Sequence, residues 1–251
     1  MPDVPTALWR VLGKAGHLWA RPELLDVQED WWTAFSGQRN LNYNLACCHS
    51  SSRDTLVERC LEPTLALKQP AVIMLSGPGL ANAQQLVDSG WVTVGSLPLM
   101  ALSELASSPP PAGGARPLTL GELEAARELL GECYGLDHAT AAAAFPDAVV
   151  EGKDVSAWGL FDGGALVSCA TGVLQDGMVV VWSMATRADR QRQGHGRRLL
   201  EAMLNRQLTD GAVGALLHAS ESGEGLYRQL GFTVVEYLQL WSRPRWALGV
   251  G

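Results

Sequence analysis

Residues 178–208 restrict the fold more than any other stretch. Met178 to Ala185 is an apolar run, and Gln191-Arg192-Gln193-Gly194-His195-Gly196 is a glycine-bearing turn. Arg197-Arg198-Leu199-Leu200-Glu201-Ala202-Met203-Leu204 then places apolar residues at helical spacing. The pattern predicts a β-strand that feeds a turn, and a turn that opens a helix from about Gly194 to Leu208. The first turn of a helix carries unpaired N–H groups and the positive end of the dipole, which together attract anions. Gly194 and Gly196 have no Cβ, so an anion can approach the main chain closely. Five arginines crowd the same place: Arg187, Arg190, Arg192, Arg197 and Arg198. Positive charge at a helix N-terminus is unfavourable by itself. An anionic ligand removes that conflict.

Other glycine signatures fail here. A dinucleotide G-x-G-x-x-G needs glycine at 199, where Leu199 stands, and a P-loop needs G-K-[ST] after the turn. No G-x-S-x-G elbow occurs, which argues against a serine hydrolase. The 47% hydrophobic and 18% charged content predicts a soluble globular chain, and 251 residues suit one large domain or two small ones. A net charge of −7 argues against nucleic acid or an acidic membrane as partner and favours a cationic acceptor such as an amine. No apolar run reaches the roughly 18 residues of a membrane span. Met1-Pro2-Asp3-Val4 lacks the basic start of a signal peptide, so a cytoplasmic location is expected. The five cysteines (Cys47, Cys48, Cys60, Cys133, Cys169) form no C-x-x-C, which predicts reduced thiols and neither disulfide nor metal site.

Residues 1–106 read as one unit. Helices are expected near Ala7–Trp19, from a cap at Asp54 to about Leu67, and over Ala81–Ser89, the last ended by Gly90. Strands are expected at Leu41–Cys47 and Ala71–Leu75, and from Trp91 onward. Trp31-Trp32 reads as core or interface, with an aromatic ligand platform as the alternative. Residues 107–117, rich in proline then glycine, read as a linker. Residues 118–251 form the second domain. Thr119-Leu120-Gly121-Glu122 is a capping-box pattern opening a helix to about Cys133. A second helix, Asp137–Phe145, stops at Pro146. Strands follow at Ser156–Phe161, Ala165–Leu174 and Met178–Ala185, joined by turns at Asp162-Gly163-Gly164 and Asp176-Gly177. After the glycine-turn helix come a strand (Ala212–Ala219), a short helix (Glu224–Leu230) and a last strand (Phe232–Leu240).

The halves echo each other at an offset of 141 residues: Gly231-Phe232-Thr233-Val234-Val235 falls on Gly90-Trp91-Val92-Thr93-Val94. Ala212–Leu216 likewise falls on Ala71–Leu75. Where the second half has Gln191–Gly196, the first has Ser50-Ser51-Ser52-Arg53-Asp54-Thr55, without glycine. Where the second has Tyr227, the first has Leu86.

Gln191–Gly196 resembles the Q/R-x-x-G-x-G/A pyrophosphate loop of the GNAT superfamily, the acyl-CoA-dependent N-acyltransferases. The element order α-α-β-β-β-α-β-α-β of residues 118–251 resembles that family's layout. The resemblance implies an α/β (α+β) GNAT fold, a mixed, mostly antiparallel sheet flanked by helices, in two tandem copies. The N-terminal copy would be shortened and degenerate, unable to hold CoA phosphates. The implied activity is acetyl transfer from acetyl-CoA, as co-substrate, to an amine: a small molecule, a peptide N-terminus or a lysine. No metal is implied, and the protein would be a monomer or a homodimer.

By position, the resemblance puts pantetheine pairing on Met184, Ala185 and Thr186, whose N–H groups can also stabilise an oxyanion. It puts the pyrophosphate on the main-chain N–H groups of Arg192, Gln193, Gly194, His195, Gly196 and Arg197, and counts Gln191, which opens the loop, among the cofactor-binding residues. The family has an aliphatic residue where His195 stands, which a backbone contact tolerates. Leu226-Tyr227-Arg228-Gln229-Leu230-Gly231-Phe232 resembles the family's L-Y-x-x-x-G-F segment, which implies Tyr227 as general acid to the departing thiolate. Ser220 stands where the family often has asparagine against the pantetheine. The general base stays open among Glu151, His218 and Glu221. The rival reading is a non-catalytic CoA- or acyl-CoA-binding sensor module. The acceptor and acyl chain length are not written in any motif.

Overall fold

Short apolar runs broken by polar turns set the first half of the architecture. The computed structural model describes residues 4–105 and 113–248, with side chains from residue 7 onward. In chain order the first elements are α1 (Val4–Lys14), β1 (Leu25–Val27), β2 (Trp31–Phe35) and β3 (Asn44–Cys48). A π-helical segment, Thr55–Leu61, runs into α2 (Glu62–Ala66). Then come β4 (Val72–Leu75), α3 (Ala83–Asp88) and β5 (Val92–Leu102). The second half holds β6 (Ala115–Pro117), α4 (Leu123–Tyr134), α5 (His138–Ala144) and α6 (Ala148–Glu151). It continues through β7 (Val155–Asp162), β8 (Ala165–Gln175), β9 (Met178–Thr186) and α7 (His195–Thr209). The chain ends with β10 (Gly214–His218), α8 (Glu221–Gln229), β11 (Thr233–Ser242) and α9 (Pro244–Ala247).

These elements gather into two compact units. The first takes the described residues of Met1–Leu99, His218–Glu221 and Val234–Gly251; the second takes those of Met100–Leu217 and Ser222–Thr233. The units are therefore not two consecutive segments divided at residues 107–117, as the sequence suggests.

In the first unit β1 and β2 pair antiparallel, as do β2 and β3. β3 and β4 are parallel, because the helical segment between them returns the chain to its starting end. β4 then pairs antiparallel with β11, placing Trp241 opposite Ile73. The reason is packing: Trp241 and Trp246 join a core with Ile73, Leu75, Leu56 and Trp91. Trp91 meets Trp246 edge-on at 5.7 Å, and the Ser242 hydroxyl donates to the Ala71 carbonyl at 2.9 Å. Each such side chain contributes roughly 1.5–3 kcal/mol by burial, enough to hold the C-terminal strand here.

In the second unit β6, β7, β8 and β9 pair antiparallel in succession. The turn between β7 and β8 needs two successive left-handed residues, supplied by Gly163 (φ 58°) and Gly164 (φ 83°). β9 and β10 are parallel, joined by α7. That helix buries His195, Leu199, Leu200, Met203, Leu204 and Gln207, a stripe at helical spacing. At the other end of the unit, the Glu122 carboxylate accepts from the Thr119 N–H and hydroxyl and from Arg116. Those bonds hold its pKa down at about 2, Arg116 first among the causes.

Several boundaries differ from the sequence reading. Ala115–Pro117, read as linker, is a strand on β7, and residues 106–112 of that segment lie outside the described residues. The helix expected over 81–89 begins as a 3-10 turn at Gly77–Asn82, and Asp54 gives no side-chain cap. The sequence reading named no strand at β1 or β2.

Ile73 is fully buried at the centre of β4, between Ala46 of β3 and Trp241 of β11. Ile73→Ala is expected to lower the unfolding free energy by about 2–5 kcal/mol, read as a lower urea midpoint at unchanged m-value.

Candidate functional site

β9 is flanked on both sides only at its beginning. Toward β10 its register runs Met178↔Gly214, Val179↔Ala215, Val180↔Leu216 and stops. Toward β8 it continues to Thr186, but it jumps from Thr171↔Trp182 to Cys169↔Ala185. Ser183 and Met184 thus face the single residue Ala170, a β-bulge. Ser183 takes φ 52°, a left-handed conformation unusual for a side-chain-bearing residue. The two strands diverge, and a length of main chain up to Thr186 lies beyond the parallel pairing.

The glycine turn follows at once. Gln191 Nε2 donates to the Thr186 carbonyl at 3.2 Å, and Gln193 Nε2 to the Asp189 carbonyl at 3.1 Å. Arg192 (φ 60°) and Gly194 (φ 79°) are both left-handed, which curls the chain into the helix start. The first helical hydrogen bond is Arg198 N–H to the Gly194 carbonyl, 3.0 Å. The N–H groups of His195, Gly196 and Arg197 precede it, the arrangement that favours an anion. A Cβ on Gly196 would stand 3.2 Å from Met184 Cε, whereas Gly194 faces open space. The cradle is narrow on its inner side and open above.

The arginines behave differently from the sequence expectation. Arg187 pairs with Asp189 at 3.1 Å, Arg190 with Asp162 at 3.0 Å and Arg197 with Glu201 at 2.8 Å. Arg198 donates to the Gly113 carbonyl at 3.0 Å. Nearby carboxylates therefore neutralise much of the charge that the sequence alone leaves unbalanced. Such solvated pairs are weak, about 0–1 kcal/mol each, so they can reopen toward a stronger anion. Arg192 has no ion-pair partner among the described residues.

Tyr227 lies on α8 with its ring 5.9 Å from Phe232. Its hydroxyl is 3.6 Å from the Met184 sulfur, so it points at the bulged part of β9. Burial pushes its pKa up to about 12. Tyr134, at the end of α4, donates its phenol to the Met184 carbonyl, and Cys133 Sγ approaches the Thr186 carbonyl at 3.4 Å. The sequence reading gave neither residue a place in the site. Their only local signal is the helix end before Gly135, which says nothing about a contact 50 residues away.

The other candidates are dispersed. Glu151 is exposed at the end of α6. His218 closes β10 and Ser220 is exposed just after it, both in the first unit. The His218 Nε2 is buried, and burial lowers its pKa to about 4. Glu221 begins α8. His195 is buried, and neither ring nitrogen has a hydrogen-bond partner among the described residues. No three His, Cys, Asp or Glu side chains among the described residues converge as a metal-ligand set.

A family model described as the acetyltransferase (GNAT) domain matches residues 153–234, the span holding the splayed strands, the glycine turn and Tyr227. This segment is a GNAT domain. Across nearly its whole length the chain is similar in fold to a GCN5-related N-acetyltransferase from Kribbella flavida. The two are 23% identical, with 97% of each chain covered and a TM-score of 0.70. It is also similar to a GCN5-related N-acetyltransferase from Sphaerobacter thermophilus. That pair is 15% identical, with 96% of this chain and 92% of that one covered and a TM-score of 0.65. No curated protein matches the chain. The GNAT domain's strand, turn and helix fall where the sequence pattern puts them.

Burial of His218 makes folding stability depend on pH. A folded-state pKa of about 4, against 6.5 for the free side chain, means that the unfolded chain binds a proton first. The associated stability is present above pH 6.5 and is lost as the pH falls toward 4, on the order of 3 kcal/mol in all. Urea midpoints compared at pH 7 and 4.5 should fall less for His218→Gln than for the unaltered protein.

Proposed function

We propose that the protein is an acyl-CoA-dependent N-acyltransferase that transfers acetyl from acetyl-CoA to an amine in a ternary complex. The observation that carries this reading is the divergence of β9 from β10 after Val180↔Leu216, opposite a buried phenol. In this reading pantetheine lies against Met184, Ala185 and Thr186 as an added strand. The pyrophosphate rests on the main-chain N–H groups from Arg192 to Arg197, with the Arg192 side chain available to it. A thioester carrier of this kind suits a cradle built from backbone amides, because amides bind anions without a charge of their own.

The chemistry assigned to the chain is modest. The amine attacks the thioester carbonyl carbon, a C–N bond forms, and the C–S bond breaks. The departing thiolate takes the Tyr227 proton, and the phenol later regains one from solvent. A phenol near pKa 12 against a thiol near 8.5 is a mismatch of about 3.5 units, roughly 5 kcal/mol in water. Burial raises a thiolate's basicity as it raises a phenolate's, which narrows that gap inside the site. His218, with a pKa of about 4, is a poor base at neutral pH. Glu151 and Glu221 remain as bases, beside direct proton loss to water.

We read the first unit as a second, degenerate copy of the same supersecondary design. Two features support this: β3–helix–β4 has the parallel sense of β9–α7–β10, and the offset of 141 aligns α3 with α8 and β5 with β11. Its loop at Ser50–Thr55 has no glycine. The free state of all five cysteines suits a reducing, cytoplasmic setting.

Thiol release from acetyl-CoA, measured over a panel of amines, tests the function. Steady turnover is expected; tight CoA binding with no turnover would instead make the protein a sensor. Tyr227→Phe should lower kcat roughly 10- to 10⁴-fold with little change in Kd for CoA. A rate equal to the unaltered enzyme's at every pH would remove Tyr227 from the mechanism.

A further inference from the structure

A cleft of about 530 Å³ opens in the first unit, lined by residues between Glu23 and Leu67. That volume suits a small organic ligand. Its floor is the β1–β2 hairpin. Trp31, Thr33 and Phe35 alternate along β2 and so share one face. Asp26 of β1 stands directly opposite Thr33 on that face. Thr33 and Phe35 are buried, while Trp31 and Leu24 are half-buried. The facing wall is helical: Glu58 and Arg59 come from the π-helical segment, Pro63 and Ala66 from α2, and Leu67 from its C-terminal cap. π-helical turns recur at functional sites, since the extra residue in the turn redirects side chains.

The chemistry of this cleft is graded from inside to outside. The inside is aromatic and aliphatic. The rim carries the carboxylates of Glu23, Asp26 and Glu58 against the single guanidinium of Arg59, all exposed. Asp26 also accepts from Gln28 Nε2 at 2.6 Å. Neither Glu23 nor Glu58 has an ion-pair partner among the described residues. An apolar floor with an indole on it and an acidic rim complements one kind of molecule, a cation carried on an apolar body. Aromatic faces attract ammonium groups, by about 0.5–1 kcal/mol at exposed sites and more when water is excluded. An anion would meet three carboxylates, and a neutral apolar molecule would gain nothing from the rim.

We propose that this cleft binds an organic ammonium ion, with its apolar body on Trp31 and Phe35 and its charge among Glu23, Asp26 and Glu58. The site shares no residue with the proposed acetyl-transfer site, and the inference does not rest on that function. The rim is solvated, so binding should weaken as ionic strength rises.

The test uses the full chain and benzyltrimethylammonium, a quaternary cation with no N–H and therefore no capacity to act as an acetyl acceptor. Isothermal titration at low ionic strength should give saturable binding with one ion per chain. Benzyl alcohol, neutral, and benzoate, anionic, should bind at least 10-fold more weakly. Asp26→Asn with Glu58→Gln should weaken the cation at least 10-fold, and Trp31→Leu separately should do the same. Both variants should keep the unaltered rate of thiol release, and the carboxylate variant the unaltered urea midpoint, while Trp31→Leu, which also loses packing on the core, should stay folded with a lower midpoint. Absence of binding, equal binding of the three probes, or unchanged affinity in both variants would each overturn the proposal.

Discussion

The parting of β9 from β10 is the constraint on which the GNAT domain depends. Parallel strands hold each other by evenly spaced hydrogen bonds, and here that ladder ends after three pairs. The ending leaves main chain without a neighbouring strand, next to a helix start that also has N–H groups to spare. The bulge at Ser183–Met184 helps to produce the parting, because an extra residue bends and twists the strand that carries it. A left-handed Ser183 is tolerated because β8 holds β9 on both sides of it. Met184 is where the consequences meet: its sulfur faces Tyr227, its methyl faces Gly196, and its carbonyl accepts from Tyr134.

Burial acts on two titratable groups in opposite directions for one reason. Removing water penalises the charged form, so the Tyr227 phenol holds its proton more tightly and the His218 imidazole less tightly. The phenol, neutral at physiological pH in any case, stays neutral to higher pH, and the imidazole stays neutral well below pH 6. At the glycine turn the cause is different. There, solvated carboxylates sit beside the arginines and moderate their field without removing it. The backbone amides, which no carboxylate neutralises, are the constant part of the positive field at that turn.

Much of this is legible in the sequence, and the legible parts share a cause. The meander from β7 to β9, its Asp-Gly turns and the amphipathic α7 are written in local periodicity and turn chemistry, and the structure keeps them within a residue or two. The capping arrangement at Thr119 and Glu122 was equally plain. By contrast β1 and β2 were missed, although Trp31-Trp32-Thr33-Ala34-Phe35 is rich in strand-forming residues. Short strands have little period to detect, and Gln28-Glu29-Asp30 beside them reads as loop. The arginine cluster was over-read, since Asp162 and Glu201 gain their meaning only from proximity in space.

The sequence by itself determined the strand, glycine turn and helix of the GNAT domain, since each rests on interactions within a few residues. Only the tertiary structure decided that β9 leaves β10 after Val180, that Tyr134 bonds to Met184, and that β11 returns to pair with β4 in the first unit. Those are matters of which surfaces meet. Trp241 and Trp246 are buried against Ile73 and Trp91, residues some 150 positions earlier in the chain, and no local pattern encodes a partner that distant.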